Sequence, residues 1–95
     1  MIASDLIQDF KARNRIFYNI EDERIQRDLE LSYEDIKSKC GEFDISVPSL
    51  GRELVLERTR YVFNDKLEEF NDNFLSSIVQ FQIMNMEVYD DGTIT

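Results

Sequence analysis

The chain has 95 residues, twenty of them acidic, eleven basic and none histidine, for a net charge of −9. Hydrophobic residues make up 42% and charged residues 33%, the balance of one small domain with a thin core. The lack of histidine excludes Ser-His-Asp and Cys-His catalysis and imidazole metal sites, and the lone Cys40 makes neither an internal disulfide nor a cysteine zinc site.

Helix punctuation is sparse. Pro48 lies between Gly41 and Gly51, and GEFDISVPSLG is the one clear mid-chain break. All-β domains place turn signals every ~8–12 residues, so this spacing predicts an all-α domain. The expected architecture is a small helical bundle of about four helices over residues 1–85. An extended loop at 41–50 interrupts it, and a flexible or hairpin-like C-terminal tail, 86–95, follows.

The first helix is expected from about Ser4 to Arg13, with Ser4 as its N-cap and Leu6, Ile7 and Phe10 as its apolar stripe. Lys11, Arg13 and Arg15 gather at its end, where cations favour the negative pole of the helix dipole. They could equally clamp an acidic neighbour. Asn19 is expected to cap a second helix whose inner face is Ile25, Leu29, Ser32, Tyr33, Ile36 and Cys40, stopped by Gly41. Leu31 falls on its wetted side.

Between Gly41 and Gly51, Phe43, Ile45 and Val47 alternate with Glu42, Asp44 and Ser46, the pattern of an extended segment laid over the core. The third helix is expected over about 50–70. Leu50, Leu54, Val55, Tyr61 and Val62 make one apolar face; Leu56, Thr59, Phe63, Leu67 and Phe70 make a second. Two stripes mean burial from both sides, either as the central helix of the bundle or under a second chain. Asn71, Asp72 and Asn73 form a cap-like cluster before a fourth helix lined by Phe74, Leu75, Ile78, Phe81 and Gln82. After Lys66 the chain holds six acidic groups and no cation. In the tail, Met86, Val88, Tyr89, Thr93, Ile94 and Thr95 favour strands, and Asp91-Gly92 is a hairpin signal.

The chemistry is bland. Glu68/Glu69, Asp90/Asp91 and the 21–23 run are carboxylates in polar surroundings, whereas acid-base catalysis needs one buried and raised in pKa. Scattered glycines make no phosphate-cradling loop, and no alternating acidic loop suits calcium. No enzyme activity, cofactor or metal is expected. No apolar run is long enough to span a membrane and no signal core opens the chain, which points to a cytoplasmic protein. An acidic surface gains nothing from counterion release on duplex DNA and is not drawn to an anionic leaflet. Arg58 lies on an apolar stripe and needs a carboxylate or carbonyls, from its own subunit or from a neighbour.

Residues 57–83, ERTRYVFNDKLEEFNDNFLSSIVQFQI, resemble the C-terminal helices of small phage head–tail connector proteins, the adaptor or head-completion proteins that dock beneath the portal of long-tailed phages. A short opening helix, a linker, an acidic-started helix ending in Gly and a loop fit the upstream part. The resemblance implies a structural virion protein at the head–tail interface, assembled in the host cytoplasm. It implies a ring of copies, usually twelve, added after DNA packaging to extend the portal channel. The implied partners are the portal protein, copies of the chain itself and a downstream stopper or tail-completion protein, with genomic DNA passing through unbound and no membrane involved. Leu56, Phe63, Leu67 and Phe70 would then make ring contacts, with Arg58 and Arg60 as polar clamps. Val88, Tyr89 and Ile94 would anchor the portal. Two rival expectations remain: an acidic DNA mimic that binds a host nucleic-acid-binding protein, and a small helix-turn-helix regulator. A mimic needs carboxylates along one face, but acids and bases alternate through residues 21–39; a regulator needs a basic recognition helix, and the third helix is mostly apolar.

Overall fold

A computed structural model describes the backbone of residues 3–90 and the side chains of residues 3–86. Among the described residues the elements are α1 (Ser4–Arg13), α2 (Asp22–Cys40), α3 (Leu50–Phe63), a single 3-10 turn (Leu67–Glu69), α4 (Phe70–Asn73) and α5 (Leu75–Asp90), with no strand. The chain is an all-α domain.

The antiparallel pair of α2 and α3 is its centre. Arg24 lies over the Phe63 ring, Thr59 meets Ser32 and Arg58 meets Asp35, so rising numbers on one helix face falling numbers on the other. α1 packs Leu6, Ile7 and Phe10 against this pair, with Phe10 edge-on to Phe63 at 6.0 Å. α5 runs back along α3 from Tyr61, which Phe74 meets, to Gly51, which Phe81 meets. The α3 helix is therefore central, and the part of its second stripe that lies on α3 is covered by its own chain. Leu56 is 2% exposed and Phe70 1%, while Phe63 is half-buried against the core.

Helix ends account for most differences from the sequence reading. α1 and α3 both close with the hydrogen-bond pattern of a Schellman motif. Ile16 N–H donates to the Lys11 carbonyl at 2.8 Å, and Lys66 N–H to the Tyr61 carbonyl at 2.8 Å. The left-handed residues are Arg15 (φ 58°) and Asp65 (φ 59°), neither of them glycine. α3 thus stops at Phe63 rather than running on to residue 70, and the chain folds back so that Tyr61 meets Phe70 and Phe74 edge-on at 5.8 and 5.6 Å. Ser4 is the first helical residue rather than the cap, which is Ala3 with no side-chain bond. Asn19 is not the α2 cap either: Glu21 holds that position.

Gly41 ends α2 as expected, at φ 98°, and Ser49 caps α3 by accepting from Arg52 N–H at 3.1 Å. The 41–49 segment is an irregular loop laid over the core. Tyr33 Oη donates to the Phe43 carbonyl at 2.6 Å and Arg52 to the Ile45 carbonyl at 2.9 Å. Only the first two positions of its alternation turn inward; Val47 is half exposed. At the other end, the helical backbone of α5 runs through Asp90, so residues 86–90 are helix where strand-formers suggested a tail. The hairpin signal at Asp91-Gly92 and the anchor Ile94 lie outside the described residues, as do the side chains of Val88 and Tyr89.

Candidate functional site

The polar groups resolve into links within the chain. Lys11 is 4% exposed and donates to Asn19 Oδ1 at 2.8 Å and Asp22 Oδ1 at 2.7 Å, tying the end of α1 to the start of α2. Arg13 grips Glu53 with two bonds, at 2.7 and 3.0 Å, and also meets Asp9. That pairing raises the Arg13 pKa and lowers that of Glu53, the mutual hydrogen bond being the largest cause. Two of the three cations at the end of α1, Lys11 and Arg13, therefore clamp acidic neighbours, while Arg15 makes no ion pair among the described residues. Arg58 pairs with Asp35 at 3.1 Å and donates to Ser32 Oγ at 3.1 Å; Arg60 pairs with Glu57 one turn back at 2.7 Å. Both arginines expected to clamp a neighbouring subunit are engaged inside their own.

No chemistry gathers around them. Among the described residues no group of His, Cys, Asp or Glu could hold a metal ion. A shallow cleft of about 100 Å³, lined by Arg60, Tyr61, Asn64, Lys66 and Glu69, lies below the ~300–1,000 Å³ of ordinary small-molecule sites. Cys40 is buried, and burial pushes its thiol pKa up, away from the reactive thiolate.

What stands out is exposed apolar surface in two places. The first is the loop between α1 and α2, where Phe17 is 85% exposed and Ile20 88%, with Tyr18 half exposed. This loop is held at both ends. Ile16 is buried as the hydrophobic contact of the α1 Schellman motif, and Asn19 accepts from Lys11. The pinned backbone thus presents Phe17 and Ile20 outward.

The second is the outer face of α5. Ile78 and Phe81 are buried, while Gln82 donates to the Lys39 carbonyl at 3.0 Å and Asn85 to the Cys40 carbonyl at 2.7 Å, which fixes the inner face. Leu75, Val79, Ile83 and Met86 follow at intervals of four, four and three residues on the other side, each 41–59% exposed. No charged residue occurs between Asp72 and Glu87. The outer face of a surface helix ordinarily carries charge, so this one has the composition of a covered face.

Of the residues expected at a ring contact, Leu56 and Phe70 are corrected: both are buried in the core of their own chain, Leu56 on the inner side of α3 and Phe70 where α4 folds back onto Tyr61. Phe63 is half-buried against that core, and Leu67, at 38%, keeps an exposed surface. Leu75, expected to line the fourth helix beside Ile78 and Phe81, is instead 59% exposed, and Phe17, Ile20, Val79 and Ile83 carry no expectation from the sequence. The visible signals were the apolar run IFYNI in a connection that should be polar, and the uncharged stretch 73–86. No helix among the described residues is long and apolar enough to cross a membrane. Comparison with known proteins returns no match among family models, curated sequences or solved structures.

Proposed function

We propose that this chain is a structural protein of a phage virion, a head–tail connector that forms a ring beneath the portal after DNA packaging and extends the channel towards the tail. The observation that carries this reading is a small helical domain, tied together by ion pairs between its helices, with two exposed apolar surfaces and, among the described residues, only a shallow cleft. Such a molecule is built to be packed against other protein. The resemblance of residues 57–83 to connector helices supplies the kind of assembly.

The charge suits that role. A ring of copies, each at −9, lines its bore with a potential that repels DNA, so a genome slides through without adhering. Basic walls would retain it. The portal protein above and a stopper or tail-completion protein below are the partners this position implies.

The test is sedimentation of the full chain with DNA-filled, tailless heads. Co-sedimentation that disappears with heads lacking portals is the expected result. A chain that stays at the top of the gradient beside heads with open portals overturns the connector reading and brings forward the acidic DNA mimic.

A further inference from the structure

We propose that the Phe17–Ile20 loop of one copy docks on the outer stripe of α5 of a second copy, a head-to-tail contact between two unlike surfaces of the same chain. This deepens the ring reading above and rests on it for the closure of the assembly; the pairwise contact itself is tested separately.

The two surfaces cannot satisfy each other within one chain. The loop leads directly into the N-terminus of α2, whereas Ile78, Gln82 and Asn85 seat α5 against Lys39, Cys40 and Glu42 at the other end of that helix. α2 is 19 residues long, which sets its ends about 28 Å apart. Each surface is rigid on its own terms: the loop is pinned by Ile16 and Asn19, and α5 by its inner face. Neither can swing round to cover the other.

Apolar character and net charge match across copies. Phe17 and Ile20 protrude, and α5 offers a row of Leu75, Val79, Ile83 and Met86 without a charge to desolvate. Beside the loop stand Arg15 and, further along α2, Arg27, both exposed and without an ion-pair partner among the described residues. Just ahead of α5 stand Glu68, Glu69 and Asp72, exposed and likewise unpaired there. Exposed Glu23 also stands on the loop side and exposed Lys66 on the α5 side. The unpaired groups are nonetheless net positive beside the loop and net negative ahead of α5, a partial complementarity that favours unlike over like pairing. An α5–α5 or loop–loop contact would bring surfaces of like net charge together. A contact between unlike surfaces leaves one of each free at the ends, so it propagates until it closes into a ring.

Sedimentation velocity on the full chain, with circular dichroism to verify helix content, tests this with two double variants, F17D/I20D and V79D/I83D. Wild type should sediment as species larger than one chain. Each variant alone should be monomeric, its association weakened by roughly 100-fold or more, as for loss of a central interface anchor. Mixed in equal amounts, they should form a two-chain species and nothing larger, because one intact loop and one intact stripe remain between them. Self-association of either variant alone, or a mixture that stays monomeric, overturns the proposal. So does a monomeric wild type. Should the α5 pair lose helix, L75D/M86D replaces it, and the loop pair lies outside every helix. A wild-type monomer that still co-sediments with portal-bearing heads removes this contact and leaves the connector reading standing; an assembling chain that ignores the heads does the reverse.

Discussion

Arg58 of α3 reaches Asp35 of α2 at 3.1 Å, and Lys39 reaches the same carboxylate oxygen at 2.9 Å. The Arg58 side chain is 16% exposed and that of Asp35 27%, so the pair lies half inside the α2–α3 seam beside buried Ser32 and Thr59. Removing one member of a buried pair is costly because the other charge stays desolvated, but Lys39 remains to hold Asp35. Arg58→Met should therefore lower stability by about 1–2 kcal/mol. Urea unfolding should show a lower midpoint at unchanged slope, with the sedimentation of the folded chain unaffected. A variant of full stability that no longer assembles would place Arg58 in a subunit contact instead.

Asp65 ends α3 in the left-handed region at φ 59°, where a side chain costs about 1 kcal/mol and glycine almost nothing. Its side chain is exposed and makes no ion pair among the described residues. Asp65→Gly should raise stability by about 0.5–1 kcal/mol, the gain at the turn outweighing the added freedom of the unfolded chain. Thermal unfolding followed by circular dichroism at 222 nm is the measurement. A lower midpoint would mean that Asp65 holds the turn through its side chain.

These helix ends mark the limit of what the sequence made legible. The inner faces of α1 and α2 follow from apolar spacing, and Leu6, Phe10, Ile25, Leu29, Ile36 and Cys40 are all buried. The stop at Gly41 follows because glycine announces a positive φ. Arg15 and Asp65 adopt the same conformation without announcing it, so an apolar pattern that happened to continue past Phe63 was read as continuing helix. Leu56 and Phe70 could not be placed from periodicity either. A stripe says that a face is covered, but not whether the cover comes from the same chain. Here Phe10, Arg24 and Ser32 of α1 and α2 meet Phe63 and Thr59, while the fold-back at residues 64–74, invisible without the turn at Asp65, meets Tyr61 on the other stripe. Exposed α5 was missed for a related reason. Spacing places Ile78, Phe81 and Gln82 on the inner side, but Leu75, Val79 and Ile83 are as apolar on the other, so the pattern does not show that the outer face is exposed or put Leu75 on it.

Gly51 sits where α3 begins under two aromatic rings. A Cβ built there would lie 2.6 Å from Phe81 Cζ and 2.7 Å from Phe43 Cε2. Those rings pack edge-on to each other at 5.1 Å, and Phe43 also meets Tyr33 at 5.1 Å, so a Cβ enters only if these contacts give way. Gly51→Ala should cost about 1–3 kcal/mol by overpacking, against a small gain in helix propensity. Chemical denaturation should show the loss. A neutral or stabilised variant would mean that the loop at 43–45 lifts off the core easily.

Glu53 carries the clearest pH dependence. Arg13 donates to both of its oxygens, at 2.7 and 3.0 Å, and these bonds hold its carboxyl below the ordinary value of 4.5. A group whose folded pKa is depressed adds stability in full above its unfolded pKa and loses it as pH falls through the folded one. The Arg13–Glu53 pair should therefore stabilise the chain at neutral pH and fade below about pH 4.5. With the two side chains 39% and 49% exposed, solvent screens the pair and its contribution is under ~1 kcal/mol. Glu53→Gln keeps the shape and removes the charge. Urea midpoints of wild type and E53Q should differ at about pH 7 and draw together at acid pH, as wild-type Glu53 takes up its own proton. A gap of the same size at both pH values would show that the loss comes from packing of the side chain rather than from its charge.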